Sequence, residues 1–124
     1  MNRQEFDLYC KSMKSTTHVV QWGGASVWKI GGKIFAICSN WGEGDHAKIG
    51  FKCSDLAFSV LADMPGIIPA PYLARAKWVQ VQSPDGMSDQ SIKVHIDAAY
   101  DIIAAKLTKA QRATLGIVTS SKGI

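Results

Sequence analysis

The sequence predicts an α+β fold in which an antiparallel meander sheet packs against helices. Two observations lead to this prediction. Gly31-Gly32 separates two apolar segments, which is the signal of a hairpin with a two-residue turn. Helix caps precede amphipathic segments at four positions. The resulting element order is α-β-β-β-(β)-α-β-α-α, with one further strand left open.

The chain has 124 residues, the size of one ordinary domain. Hydrophobic residues make up 47% and charged residues 19%, which excludes the disordered and collagen-like classes. The net charge of +4 permits a polyanionic partner without requiring one. We predict a single domain over residues 1–118 and a flexible C-terminal tail over residues 119–124.

Two helices are predicted in the first half of the chain. Asn2 is a suitable N-cap and Glu5 follows three residues later, so the pair forms a capping box at the first helix. Ser54 caps the second helix, which must end before Pro65-Gly66 because this dipeptide cannot continue it. A helix is therefore expected on each side of the strand-like middle of the chain.

Two more helices are predicted in the C-terminal part. Ser88 caps the third helix, and Thr108 with Gln111 forms a second capping box for a short fourth helix that Gly116 stops. Apolar residues of the third helix recur at spacings of four and three, which gives it one apolar face. This face consists of Ile92, Ile96, Ala99, Tyr100, Ile103 and Leu107.

The middle of the chain has the alternation of strands. The two-glycine turn joins residues 25–30 and 33–39 in a hairpin. Residues 47–53 and 77–82 alternate between apolar and polar side chains, so each is predicted as a further strand. Residues 17–22 are the strand left open.

The two-residue turn sets the register of the hairpin, with Lys29 opposite Ile34 and Trp28 opposite Phe35. Strict alternation then divides the side chains between two faces, the first of which is expected to meet the helices. The first face carries Trp28, Ile30, Phe35 and Ile37, and the other carries Val27, Lys29, Ile34 and Ala36.

Cysteine usage and the start of the chain predict a reducing compartment. Cys10, Cys38 and Cys53 are odd in number and form no C-x-x-C motif, so we expect reduced thiols in the core. No apolar signal segment follows Met1, and no apolar run approaches the roughly 20 residues that span a bilayer. We therefore expect a cytoplasmic protein without a membrane partner.

Five segments have an order and spacing that indicate a family. They are Val27-Trp28-Lys29-Ile30-Gly31-Gly32-Lys33-Ile34-Phe35-Ala36, Met64-Pro65-Gly66-Ile67-Ile68-Pro69-Ala70-Pro71-Tyr72-Leu73, Lys77-Trp78-Val79-Gln80-Val81, Ala98-Ala99-Tyr100-Asp101 and Leu107-Thr108-Lys109. In these segments the chain resembles the MmcQ/YjbR family of small bacterial proteins, over roughly residues 2–116. The resemblance implies a CyaY-like (frataxin-like) fold and a DNA-binding role, and it transfers no catalytic residues.

Lysines on the polar face of the predicted sheet form a candidate DNA-binding surface. Lys29, Lys48 and Lys52 are expected to project away from the helices, and Lys33 beside the turn reaches solvent. Lysines so placed contact phosphates as point charges, and Trp41 in a Gly-rich turn would stack on or wedge between bases. Because arginine, the usual reader of guanine, is scarce here, we expect weak or non-specific binding. The predicted contacts with double-stranded DNA are Lys29, Lys33, Lys48, Lys52, Arg75, Lys77 and Trp41.

Two alternatives stay open for these residues. Solvated strand faces also carry lysines, where the charge protects a sheet edge. Aromatic residues in or near turns would instead line a pocket for a small ligand or a protein partner. These aromatic residues are Trp22, Trp41, Tyr72 and Trp78.

No motif predicts an enzyme or a metal site. Gly24-Ala25-Ser26 lacks the final glycine of G-x-S-x-G, and a Walker A motif is absent. His18, His46 and His95 form neither H-x-x-x-H nor H-E-x-x-H. Frataxins of similar fold bind iron through an acidic ridge, whereas the first helix here is net basic. We therefore expect a non-enzymatic protein without catalytic residues, metal or cofactor.

Overall fold

Helices begin where the sequence supplies side-chain caps, and strands occupy the alternating segments between them. The computed structural model describes residues 1–83 and 85–117, so the predicted tail over residues 119–124 lies outside the described residues. In chain order the elements are α1 (Arg3–Lys11), β1 (Thr16–Gln21), β2 (Ala25–Ile30), β3 (Lys33–Ser39), β4 (Lys48–Lys52), α2 (Asp55–Leu61), β5 (Ile67–Pro69), a 3-10 turn (Ala74–Ala76), β6 (Trp78–Val81), α3 (Asp89–Ala105) and α4 (Lys109–Leu115).

The predicted caps are confirmed at all four helix starts. At α1 the Asn2 side chain accepts from the backbone N–H of Glu5 at 2.8 Å, and the Glu5 carboxylate accepts from the backbone N–H of Asn2 at 2.9 Å. Thr108 and Gln111 form the equivalent reciprocal pair at α4. The remaining two helices have serine N-caps, at the positions predicted. Each cap satisfies backbone N–H groups that the first turn leaves without a partner.

The strands found in the described part of the chain form one antiparallel sheet in the order β1-β2-β3-β4-β6-β5. The first four follow one another as a meander. After α2 the chain places β5 at the far edge and returns with β6 between β4 and β5. β5 was not predicted, because three residues ending in Pro69 are too few to show alternation. The open strand over residues 17–22 is confirmed as β1.

Phe35 disturbs the predicted register of the hairpin. Trp28 lies opposite Ala36 instead of Phe35, so Phe35 is an extra residue of the β-bulge kind. One extra residue reverses the alternation in the rest of β3. As a result Ala36 packs in the helix-facing core and Ile37 packs on the other face, and the prediction of their faces was wrong.

The two faces of the sheet are covered differently. The helices bury a large core on one face, where Phe6, Phe35 and Phe51 are fully buried. The opposite face, called here the outer face, carries a smaller apolar cluster beneath loops. This outer cluster consists of Ala25, Val27, Ile37, Ala70 and Trp78, with Val19, Ile34, Trp41 and Leu73 packed against it.

Candidate nucleic-acid interface

Antiparallel pairing brings four of the predicted lysines to one end of the sheet. Lys29 and Lys33 flank the two-glycine turn between β2 and β3, which defines this end. β4 runs back along β3 and finishes at Lys52, which pairs with the first residue of β6. Lys77 immediately precedes β6. Residues that are up to 48 positions apart in the sequence are therefore gathered beside one turn.

A fifth lysine reaches this end from the helical layer. Lys106 is the C-cap of α3, and the buried Leu107 that follows lies so close to Gly31 that a Cβ there would be 2.7 Å from its methyl carbons. Sequence reasoning missed Lys106, since no local pattern relates the end of α3 to the β2–β3 turn. The basic end comprises Lys29, Lys33, Lys52, Lys77 and Lys106.

Positive charge is crowded around Lys52. Its side chain is half-buried, and its ammonium group donates to the carbonyl of Ala76. Burial lowers the pKa of Lys52, and the positive charges of Lys106 and Lys77 lower it further. The negative charge of Asp55 acts in the other direction and raises this pKa. An anion placed beside such a group relieves the repulsion between the lysines.

Lys29 and Lys33 differ in exposure. Lys33 is exposed, whereas Lys29 is half-buried on the outer face, because it lies opposite Ile34. Lys29 and Lys52 share that face on β2 and β4, two strands apart, which separates their backbones by about 10 Å. They can therefore reach different phosphates of one nucleic acid.

Lys48 does not belong to the basic end. It begins β4, so it lies at the opposite end of the sheet, and it is 0% exposed. Its ammonium group donates to the carbonyl of Gly44 at 2.8 Å. The expectation that Lys48 projects into solvent was wrong, because the turn between β3 and β4 folds back over its side chain.

Arg75 and Trp41 lie in different surroundings. Arg75 is exposed in the 3-10 turn directly before Lys77, so it flanks the basic end. The ammonium group of Lys77 lies 5.1 Å from the centre of the Phe58 ring. Trp41 follows the opposite end of β3 and packs against the outer cluster. Trp41 is thus placed apart from the lysines of the basic end.

Three of the four aromatic residues considered for a pocket meet in an aromatic cleft on the outer face. The cleft has a volume of about 430 Å³ and is lined by Trp22, Trp41, Pro71, Tyr72 and Leu73. Trp78 is not part of its wall, because it is 5% exposed within the outer cluster.

A polar cluster of the buried Ser26 and Trp28, the half-buried Asp7 and the exposed His18 joins α1 to the sheet. The hydroxyl of Ser26 donates to Asp7 Oδ1 at 2.5 Å, and the indole N–H of Trp28 donates to the same oxygen at 2.9 Å. His18 Nε2 lies 2.7 Å from Ser26 Oγ, and its ring stacks on Trp28. In this chain of hydrogen bonds Ser26 lies between His18 and Asp7, and its side chain is fully buried. In an activated serine nucleophile, histidine lies between the serine and the carboxylate, and the hydroxyl is accessible to substrate. The arrangement is therefore structural.

The other histidines also have structural partners. His46 contacts the carbonyl of Gln82, and the His95 ring stacks on Phe51 with centroids 5.3 Å apart. Burial lowers the pKa of His95. Within residues 1–83 and 85–117, no group of three or more His, Cys, Asp or Glu side chains could hold a metal ion. No helix in that part of the chain combines the length and apolar character needed to cross a membrane.

Comparison with known proteins gives a family match and solved structures of similar fold. A family model described as YjbR matches residues 11–102. The crystal structure of Deinococcus radiodurans protein DR2400, described with a DUF419 domain, has a TM-score of 0.84 at 19% identity, over 98% of this chain and 93% of that chain. A Pseudomonas syringae protein has a TM-score of 0.69 at 22% identity, over 83% of this chain and 99% of that chain. No curated protein matches.

Proposed function

The chain belongs to the YjbR family, and from that premise we propose that it is a non-enzymatic protein that binds double-stranded DNA through its basic end. The observation that carries the proposal is the gathering of five lysines from β2, β3, β4, the start of β6 and the end of α3 beside one turn. Resemblance to the MmcQ/YjbR family, often described as DNA-binding, supports the same role.

The chemistry of the basic end favours phosphate contacts over base recognition. Its side chains are all lysines, which act as point charges and lack the planar fork that pairs with guanine. Arg75 flanks them from the 3-10 turn and adds a further positive charge. Binding is therefore weak, independent of sequence and strongly dependent on salt.

A cytoplasmic location is part of the proposal. Cys10, Cys38 and Cys53 are free and buried, a state that suits a reducing compartment. DNA is accessible in the bacterial cytoplasm, so the location and the proposed partner agree.

The test is a fluorescence polarisation titration with a labelled duplex at several salt concentrations. Contact of about five phosphates predicts a slope of log K against log salt of about −4 to −5. The variant Lys29→Gln/Lys33→Gln should weaken binding and reduce the slope by about two.

A matched control separates the basic end from net charge. Arg3→Gln/Lys93→Gln also removes two positive charges, but both residues lie toward the other end of the sheet, near Gly24 and the start of α3. This control should bind almost as tightly as the unmodified protein. Equal loss in both double variants, or no salt-dependent binding at low salt, would overturn the proposal.

A further inference from the structure

The aromatic cleft carries an inference that is independent of DNA binding. Trp22 comes from the turn after β1, Trp41 from the turn after β3 and Tyr72 from the loop after β5. The Trp22 and Trp41 rings have centroids 6.0 Å apart at an interplanar angle of 44°, and those of Trp41 and Tyr72 are 6.3 Å apart at 88°. We propose that these rings form a binding site for a small quaternary ammonium compound.

The angles between the rings select the shape of the ligand. A planar ligand can stack on only one of three rings that are tilted by 44° and 88°. A compact, nearly spherical cation can contact all three, and attraction to a ring face extends to about 6 Å from its centroid. The cleft volume of about 430 Å³ is in the range of small-molecule sites. A free small cation therefore fits better than a macromolecule.

The polarity of the wall selects the kind of cation. Pro71 and Leu73 complete a lining that contains no charged side chain. A primary ammonium group would lose hydrogen bonds to water in such a place without replacement. A quaternary ammonium group has no N–H to satisfy, so rings alone are a sufficient partner.

Charge near the cleft favours a cation although the protein is net basic. Glu43 and Asp45 are both exposed in the turn that follows Trp41. The ammonium group of Lys48 donates to the carbonyl of Gly44, which lies between them, and offsets part of their charge, so the turn stays net negative. The remaining negative charge lies on the turn that also supplies Trp41, and it favours a cation there over an anion.

Two of the three rings belong to residues with a strained backbone conformation. Trp22 and Tyr72 have φ values of +54° and +67°, which bulky residues rarely adopt. Both are exposed, at 50% and 96%, so burial of their rings does not explain the conformation. Conformations of this kind are concentrated at ligand-binding positions.

The test is titration with choline, followed by the indole N–H signals of the ¹⁵N-labelled protein. The neutral isostere 3,3-dimethyl-1-butanol has the same shape without the charge, and it should bind at least tenfold more weakly. Tyr72→Leu should weaken choline binding about tenfold, whereas Tyr72→Phe keeps the ring and should bind normally. Because Tyr72 is 96% exposed, both variants should fold.

Three results would overturn the proposal. Equal binding of the isostere would show a purely apolar pocket, and binding of indole but not choline would show a planar ligand. A peptide with trimethyllysine that binds tenfold more tightly than choline would identify a protein partner in place of a small molecule. DNA binding should be the same in Tyr72→Leu, so this site and the basic end can fail separately.

Discussion

The fully buried hydroxyl of Ser26 donates a 2.5 Å hydrogen bond to the carboxylate of Asp7, and this contact fixes α1 to β2. Since the serine hydrogen points to Asp7, its oxygen accepts from His18 Nε2–H at 2.7 Å. The carboxylate is further held by the indole of Trp28. This polar cluster thus joins α1 to the edge strand β1 and to its neighbour β2.

Loss of the Ser26 hydroxyl should destabilise the fold. Ser26→Ala removes a hydrogen bond to a charged group and leaves Asp7 with one donor fewer, so the free energy of unfolding should fall by about 1–3 kcal/mol. Urea denaturation measures this change. Ser59→Ala is the control, because the Ser59 hydroxyl donates to Leu56 on the exposed side of α2 and its loss should cost less than about 0.5 kcal/mol. Similar losses in the two variants would contradict a stabilising role for the cluster.

The burial of Lys48 separates it from the lysines of the basic end. Lys48→Met and Lys33→Met each remove one positive charge, but only the ammonium group of Lys33 is exposed. Lys33→Met should reduce the slope of log K against log salt for DNA binding by about one. Lys48→Met should leave this slope unchanged. Polarisation titrations at several salt concentrations measure both slopes. A reduced slope in Lys48→Met would show that its side chain leaves the interior on binding.

The two glycines of the β2–β3 turn should respond differently to the same substitution. Both have positive φ, +60° at Gly31 and +81° at Gly32, so alanine is strained at either, by about 1–2 kcal/mol. A Cβ at Gly31 would also lie 2.7 Å from the methyl carbons of Leu107, whereas a Cβ at Gly32 meets nothing within 4 Å. Leu107 is buried and cannot move freely, so Gly31→Ala should cost about 1–3 kcal/mol more. Thermal or urea denaturation of the two variants tests the difference, and equal losses would refute the contact.

Buried thiols should make the fold less stable at alkaline pH. Burial raises the pKa of Cys38 and Cys53 to about 11, and it also raises that of Cys10. Below about pH 8, under the pKa of about 8.5 of an unfolded thiol, the thiols are neutral in both states and their contribution is complete. Between about pH 9 and pH 11, the unfolded chain loses thiol protons that the folded chain keeps, so stability falls as pH rises.

The measurement is the free energy of unfolding at a series of pH values, compared between the unmodified protein and Cys38→Ala. The variant lacks one of the thiols whose pKa is raised, so its free energy of unfolding should decline less steeply between pH 9 and pH 11. An equal or steeper decline in the variant would contradict the assignment of the slope to the thiols.

Structural elements that are set by contacts between residues close in the sequence could be predicted from the sequence. The capping boxes at Asn2 and Thr108 and the two-glycine turn are local, because cap and turn contacts span three or four residues. The apolar face of α3 was equally accessible, since every residue predicted for it is buried. The family was recognised from segments of the same kind, and the YjbR match over residues 11–102 confirms it.

Tertiary structure decided what surrounds the candidate residues. The extra residue at Phe35 reversed the faces of Ala36 and Ile37, and a fold-back of the turn after β3 buried Lys48. Neither effect shows in the alternation of apolar and polar residues, because the first depends on how β3 pairs with β2 and the second on the path of the turn before β4.

The sequence by itself determined where the helices and most strands lie, since caps, turns and alternation act within a few residues. Only the folded chain determined that Lys106 joins Lys29 and Lys33, and that Trp22, Trp41 and Tyr72 share a cleft. Such groupings depend on strand order and loop paths, which are set by the packing of the whole sheet against its helices. The sequence therefore identified the types of residue that form the candidate sites, and only the fold showed which of these residues lie together.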